Sequence, residues 1–200
     1  MKVWYLFFAM VFFAPLHMMA QGVEDKAVIP VSVTLNSIMR LNIVSGGNIE
    51  FVFNTLQDYQ NGLGSGNEAQ YATKFTVASS VDFKVQMIGE DADLINTDQT
   101  TSASTMPLDN VGFLVEETSG AGVNTVVPDI GGSTPEPILN GIRNIVLPNG
   151  GNAGGVSDND FTIYWRCGTT EGNMRATPIL DQSIPAGRYS TTVFLNLLPN

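Results

Sequence analysis

Short runs in which apolar and polar residues alternate recur along this chain, and stretches rich in Gly, Asn, Asp and Ser separate them. Such alternation has the two-residue period of a β-strand with one buried face. No window of about a dozen residues has the 3.6-residue period of an amphipathic helix. The pattern therefore predicts an all-β fold, which we expect to be a single antiparallel β-sandwich of the Ig-like or jelly-roll kind.

The most regular alternation runs from Val81 to Met87, where odd positions are apolar and even positions are polar. Similar runs predict the other strands, at residues 31–35, 39–43, 49–53, 71–77, 111–115, 144–147 and 161–167, with a short edge strand at 124–127. Residues 56–60 fit one helical turn. Residues 89–110 are acidic and then rich in Ser and Thr, which predicts a long loop.

The chain closes on a run that we expect to be the last strand of the sheet. The turn at Pro185-Ala186-Gly187 fixes its entry, because proline presets φ and glycine accepts a positive φ. One face then carries Tyr189, Thr191, Val193, Leu195 and Leu197. We predict that this face packs in the core or is held by a partner chain. Phe194, on the opposite face, indicates either a second covered face or a patch where another subunit docks.

The first twenty residues have the order of a secretory signal peptide: Lys2, an apolar run from Val3 to Ala14, and the small residue Ala20 at the expected cleavage site. The run is shorter than the roughly 20 apolar residues that a membrane span needs. We therefore predict a signal peptide at 1–20, a mature domain at 21–200, and export to the periplasm, the cell surface or the medium of a bacterium.

Cleavage would remove His17, the one histidine of the sequence. A chain without histidine has no Ser/His/Asp or Cys/His catalysis and no His-ligated metal. Cys167 is the one cysteine, so an internal disulfide is excluded. Its phase with Phe161 and Ile163 predicts a buried thiol.

Loss of Lys2 leaves eight basic residues against nineteen acidic ones, a net charge of −11. Nucleic acids and anionic membranes attract basic surfaces, so this charge argues against both as partners.

Acidic side chains suggest two kinds of site, and we favour neither. Asp91 and Asp93 share one loop and Asp158 and Asp160 another, which makes them weak calcium candidates. Neither loop has the D-x-[DN]-x-[DN]-G spacing, so solvated acidic loops are the preferred interpretation, with no metal and no cofactor. The adjacent carboxylates Glu116-Glu117 would face opposite sides of a strand, whereas a glycosidase needs a facing pair. We expect no catalytic residues and no enzyme activity.

Tyr164, Trp165 and Arg166 form a cluster of aromatic and cationic residues on one predicted strand. Trp165 shares the phase of Phe161 and Ile163 and is predicted to lie in the core. Tyr164 and Arg166 point the other way and are predicted at the surface, where an aromatic ring can stack on a sugar.

Three stretches resemble exported bacterial pilin-like β-sandwich domains, as in chaperone-usher pilins, spore-coat-U-like proteins and related surface proteins. They are VSVTLNSIMRLNIVSGGNIEFVFNT, FTVASSVDFKVQM and IPAGRYSTTVFLNLLP, the last similar to a closing PAG-x-Y-x-x-T-V strand. The resemblance implies a non-enzymatic structural or protein-interaction domain, a subunit or accessory of a cell-envelope assembly that binds proteins or itself through β-edges. From their positions in the predicted strands, the residues predicted to make such an interaction are Tyr164, Arg166, Val193, Phe194 and Leu195. A carbohydrate-binding module, with or without calcium, is the alternative.

Overall fold

A computed structural model of the chain describes residues 26–98, 104–126 and 134–200. The chain divides after Leu35 into two units. Residues 26–35 are the described part of the first unit, and all strands named below belong to the second. The predicted signal peptide lies outside the described residues.

Residues 26–35 contain neither helix nor strand. The apolar side chains of this segment are 79–90% exposed, namely Val28, Ile29, Val31, Val33 and Leu35. The prediction of a strand at 31–35 is therefore wrong for the isolated chain. Alternation prepares one face of a strand for burial, but a strand also needs a neighbour for its backbone N–H and C=O groups, and this segment has no ladder partner among the described residues.

The second unit consists of short strands and a few helical turns. In chain order the strands are β1 Met39–Ser45, β2 Ala72–Ser79, β3 Phe83–Gly89, β4 Asp93–Asn96, β5 Thr105–Pro107, β6 Val111–Glu117, β7 Asn124–Val126, β8 Glu136–Pro137, β9 Arg143–Pro148, β10 Asp160–Cys167, β11 Tyr189–Ser190 and β12 Val193–Pro199. The helical elements are α1 Leu56–Asn61 and the 3-10 turns Ala69–Tyr71, Leu108–Asn110 and Ile179–Asp181. None of these helices is long or apolar enough to cross a membrane.

The strands form three antiparallel sheets with the orders β1-β2-β10-β6-β8, β12-β3-β9-β7 and β11-β4-β5. Side chains from the two larger sheets belong to one hydrophobic core. Phe75 stacks on Phe161 in the five-stranded sheet, with ring centroids 5.0 Å apart, while Phe83 and Val85 from the four-stranded sheet are fully buried in the same core. The predicted all-β sandwich is confirmed.

Two further predictions, one of a loop and one of a strand, need correction. The predicted loop at 89–110 contains β4 and β5, whose short ladder buries Leu94 and Met106. These strands are too short to show a period in the sequence. Residues 49–53, predicted as a strand, have no ladder, although Ile49 and Phe51 do alternate inward with their neighbours.

The closing run is divided between two sheets rather than forming one strand. Tyr189 and Ser190 pair with β4, and β12 pairs with β3. Between them, the carbonyl of Thr192 accepts a hydrogen bond from the Glu90 N–H at 2.8 Å. The apolar alternation thus continues unchanged while the chain passes from one sheet to another. The sequence pattern therefore does not reveal the change of sheet.

Candidate functional site: a groove between two sheet edges

Two edge strands of the sandwich carry unpaired backbone groups. β1 lies at the end of the five-stranded sheet and β12 at the end of the four-stranded sheet, so each has one ladder neighbour among the described residues. The other side of such a strand presents a row of N–H and C=O groups that can pair with another chain.

A groove of about 700 Å³ lies between these edges. Its first wall consists of residues from 41–53, and its second wall of residues 184–195. Side chains of the core form its floor, among them Leu94, Met106, Val111, Ile138, Trp165 and Cys167. The groove therefore gives access to the interior of the sandwich itself, and it is large enough for a ligand to bury most of its surface.

The first wall is anchored where the chain turns after β1. Gly46 has a φ of +69°, and a Cβ atom there would lie 2.0 Å from the Ala72 carbonyl oxygen, so the position requires glycine. Thr73 Oγ1 donates to the Gly46 carbonyl at 2.6 Å and accepts from Trp165 Nε1 at 2.8 Å. These two hydrogen bonds connect the first wall to the buried side chain of Trp165.

Beyond that turn, the first wall is held by ring contacts rather than by a ladder. Phe51 stacks on Tyr71, with centroids 4.6 Å apart, and Phe53 packs on Tyr59 at 5.2 Å. Burial is the main reason that the pKa of Tyr71 is raised, with nearby carboxylates adding to it. Residues 49–51 make no backbone hydrogen bond to any described residue, so their N–H and C=O groups are available to a partner.

The second wall is anchored by the turn that precedes β11. The Tyr189 hydroxyl donates to the Pro185 carbonyl at 2.7 Å, and the Arg188 N–H donates to Asp98 Oδ2 at 2.7 Å. Gly187 lies so close to Asn96 that a Cβ atom would be 2.6 Å from its Nδ2. These contacts fix the turn against the three-stranded sheet.

One ion pair joins the two walls. Arg188 Nη2 lies 3.5 Å from Glu50 Oε1, and the two side chains are 64% and 57% exposed. Three other ion pairs, Arg143–Glu136, Arg166–Glu171 and Arg175–Asp109, lie outside these walls.

The structure brings three of the predicted interaction residues into one wall. Val193 and Leu195 are half-buried and Phe194 is 44% exposed, and all three line the groove. Tyr164 lies elsewhere, half-buried on β10, where burial and then the neighbouring Glu116 raise its pKa. Carbohydrate binding at Tyr164 stays a prediction.

Arg166 was expected at the surface and is buried instead. Its guanidinium is paired with Glu171 and donates to Asn67 Oδ1 at 2.6 Å, because these side chains cover the end of β10. Burial of Trp165 and Cys167 is confirmed, and desolvation raises the pKa of the Cys167 thiol to about 12.

The four weak calcium candidates do not converge on one site. Asp91 accepts from the Thr191 hydroxyl at 3.2 Å and Asp93 from the Thr105 hydroxyl at 3.1 Å. Asp160 is the first residue of β10, and Asp158 lies in the turn before it. No group of three or more His, Cys, Asp or Glu side chains within the described ranges is arranged to hold a metal ion.

Sequence reasoning missed the first wall of the groove. Ile43, Phe51 and Phe53 were interpreted only as the apolar positions of two predicted strands, because alternation looks the same whether the neighbouring position in the sheet is filled or open.

Comparison of the sequence with models of known families gives no match, and comparison with curated proteins gives none either.

Proposed function

We propose that this protein is a non-enzymatic, exported structural subunit, pilin-like in its assembly, in which residues 29–35 of one copy enter the groove of another copy as an added strand. The observation that carries the proposal is that the same chain has both an apolar groove and an exposed segment of alternating apolar residues. Strand addition of this kind is a known mode of protein recognition.

The side-chain pattern of the segment suits a strand with one buried face. Odd positions carry Ile29, Val31, Val33 and Leu35, and even positions carry Pro30, Ser32 and Thr34. In a strand the odd side chains point to one face. Burying one such side chain contributes about 1.5–3 kcal/mol, so covering all four is a substantial driving force for association.

The backbone of the segment also suits the groove. At about 3.3 Å per residue, residues 29–35 extend over roughly 20 Å, and β12 has the same number of residues. The free edge of β12 and the unpaired residues 49–51 offer hydrogen-bonding groups to an incoming strand. Pro30 lacks an N–H and is tolerated near the beginning of a strand.

Light scattering after size exclusion tests the proposal on the mature chain. The wild type should form oligomers that grow with concentration. Val33→Asp puts a charge on the apolar face of the segment and should give monomers, whereas the matched control Thr34→Asp, on its polar face, should still assemble. Normal assembly of Val33→Asp would contradict the proposal. A monomeric wild type in which residues 29–35 are protected from proteolysis would show that the segment fills the groove of its own chain.

A further inference from the structure

We propose that the Arg188–Glu50 ion pair is a latch across the groove, which holds its two walls together and must open before a strand can enter. The identity of the strand that enters the groove rests on the proposed function, whereas the opening of the latch does not.

The position of the pair supports a latch. Glu50 belongs to the first wall and Arg188 to the second, and their charged atoms are 3.5 Å apart. Each wall is anchored to a different part of the fold: the first through Gly46 to Thr73, and the second through Arg188 itself to Asp98. The ion pair is therefore a direct polar link between two walls whose anchoring hydrogen bonds lie in different parts of the fold.

The pair also lies where an incoming strand would have to bind. Residues 49–51 are the part of the first wall with unpaired backbone groups, and Glu50 is in the middle of them. A strand that pairs with this backbone would pass beside the Glu50 side chain and approach Arg188. Separation of the two charges is then part of strand entry, and the freed groups can pair with solvent or with the incoming chain.

The exposure of both side chains makes the latch weak and sensitive to salt. Ion pairs at this degree of exposure contribute little to stability and are screened by dissolved ions. We expect removal of the pair to change the opening equilibrium by about two- to fivefold. Such an effect alters the rate of strand entry without changing the fold.

The rate of alkylation of Cys167 measures the opening of the groove, and no bound strand is needed for the measurement. Its thiol is buried in the floor of the groove and is the one thiol of the sequence, so its alkylation by iodoacetamide requires local opening. The measurement is made on the full mature chain carrying Val33→Asp, so that a strand from another copy does not fill the groove. Raising NaCl from about 50 to about 500 mM should increase the alkylation rate about two- to fivefold.

Variants of the pair identify the source of the salt effect. Arg188→Gln should react about two- to fivefold faster at low salt and lose the salt dependence. Arg188→Glu combined with Glu50→Arg should restore slow, salt-dependent alkylation. Arg175→Gln removes the Arg175–Asp109 pair, which lies outside the walls, and should behave as the parent does.

The two proposals can fail separately. A parent rate independent of salt, or an Arg188→Gln rate equal to that of the parent, would overturn the latch. A synthetic peptide of residues 27–36 should slow alkylation by covering the floor. If the peptide has no effect in any variant while the salt dependence follows the ion pair, the latch stands and strand entry by this segment fails.

Discussion

Residues 29–35 and strand β3 have the same alternation and opposite surroundings. In β3, Phe83, Val85 and Met87 are at most 2% exposed, whereas Val31, Val33 and Leu35 are at least 79% exposed. β3 lies between β12 and β9 and covers the core, while residues 29–35 have no ladder partner among the described residues. Alternation therefore specifies which face of a strand is to be buried, and it does not specify which molecule covers that face.

The strongest way to test this contrast is to place the same charge in both regions. Val85→Asp buries a carboxylate without a partner, which costs several kcal/mol and approaches the whole stability of an ordinary domain. Val33→Asp should change the free energy of unfolding of the monomer by less than about 0.5 kcal/mol. Urea denaturation followed by circular dichroism measures both. Equal losses in the two variants would contradict the distinction.

Leu195→Asp tests a side chain whose burial is intermediate between those two regions, because Leu195 is half-buried in β12 and lines the groove. Its partial exposure limits the cost to about 1–3 kcal/mol, so we expect a folded monomer that no longer assembles. Circular dichroism and light scattering separate fold from assembly. A variant that is both folded and normally assembled would show that β12 is not part of the interface.

Cys167 lies where the floor of the groove meets the core. The pKa of its thiol therefore depends on how far the floor excludes solvent. Its pKa of about 12, against an ordinary 9.0, means that the folded state keeps a proton which the unfolded chain loses. The resulting stability is complete below pH 9 and is lost as the pH rises towards 12, by at most about 1.4 kcal/mol per pH unit.

Denaturation at about pH 8 and about pH 10.5 compares the wild type with Cys167→Ala. The variant is expected to be less stable at the lower pH because it leaves a cavity, but to lose less stability on the change of pH. A parallel loss in both proteins would mean that the thiol is already accessible to solvent through the groove.

The smallest effect concerns α1, the helix that follows the first wall in the chain. Thr55 caps α1 by accepting from the Asp58 N–H at 3.1 Å, while Asp58 Oδ2 accepts from the Thr55 N–H at 2.9 Å. Backbone hydrogen bonds from Asn54 and Thr55 also lower the pKa of Asp58. Thr55→Ala should cost about 1 kcal/mol and leave assembly intact, as measured by thermal unfolding and light scattering. Loss of assembly would show that the first wall depends on this cap.

The sequence was sufficient to predict the sandwich, the longer strands and the burial of Trp165 and Cys167, because each depends on a local period of two. It could not locate the groove, since nothing in the alternation of Phe51 or Leu195 reports whether a neighbouring strand is present. Arg166 shows the same limit: the side chains that cover it, Asn67 and Glu171, come from separate loops whose positions are set by the tertiary fold.

Mixing two complementary variants tests whether one copy provides the strand that enters the groove of another. Val33→Asp removes the apolar face of the segment and leaves the groove intact, so it should accept a strand but not provide one. Ile43→Asp places a charge on the first wall at a side chain that is already 41% exposed, so it should provide a strand but not accept one. Each variant alone should be monomeric, and light scattering of the mixture should show one-to-one dimers and nothing longer. A mixture that stays monomeric while the wild type assembles, or either variant assembling alone, would show that residues 29–35 of one copy do not enter the groove of another.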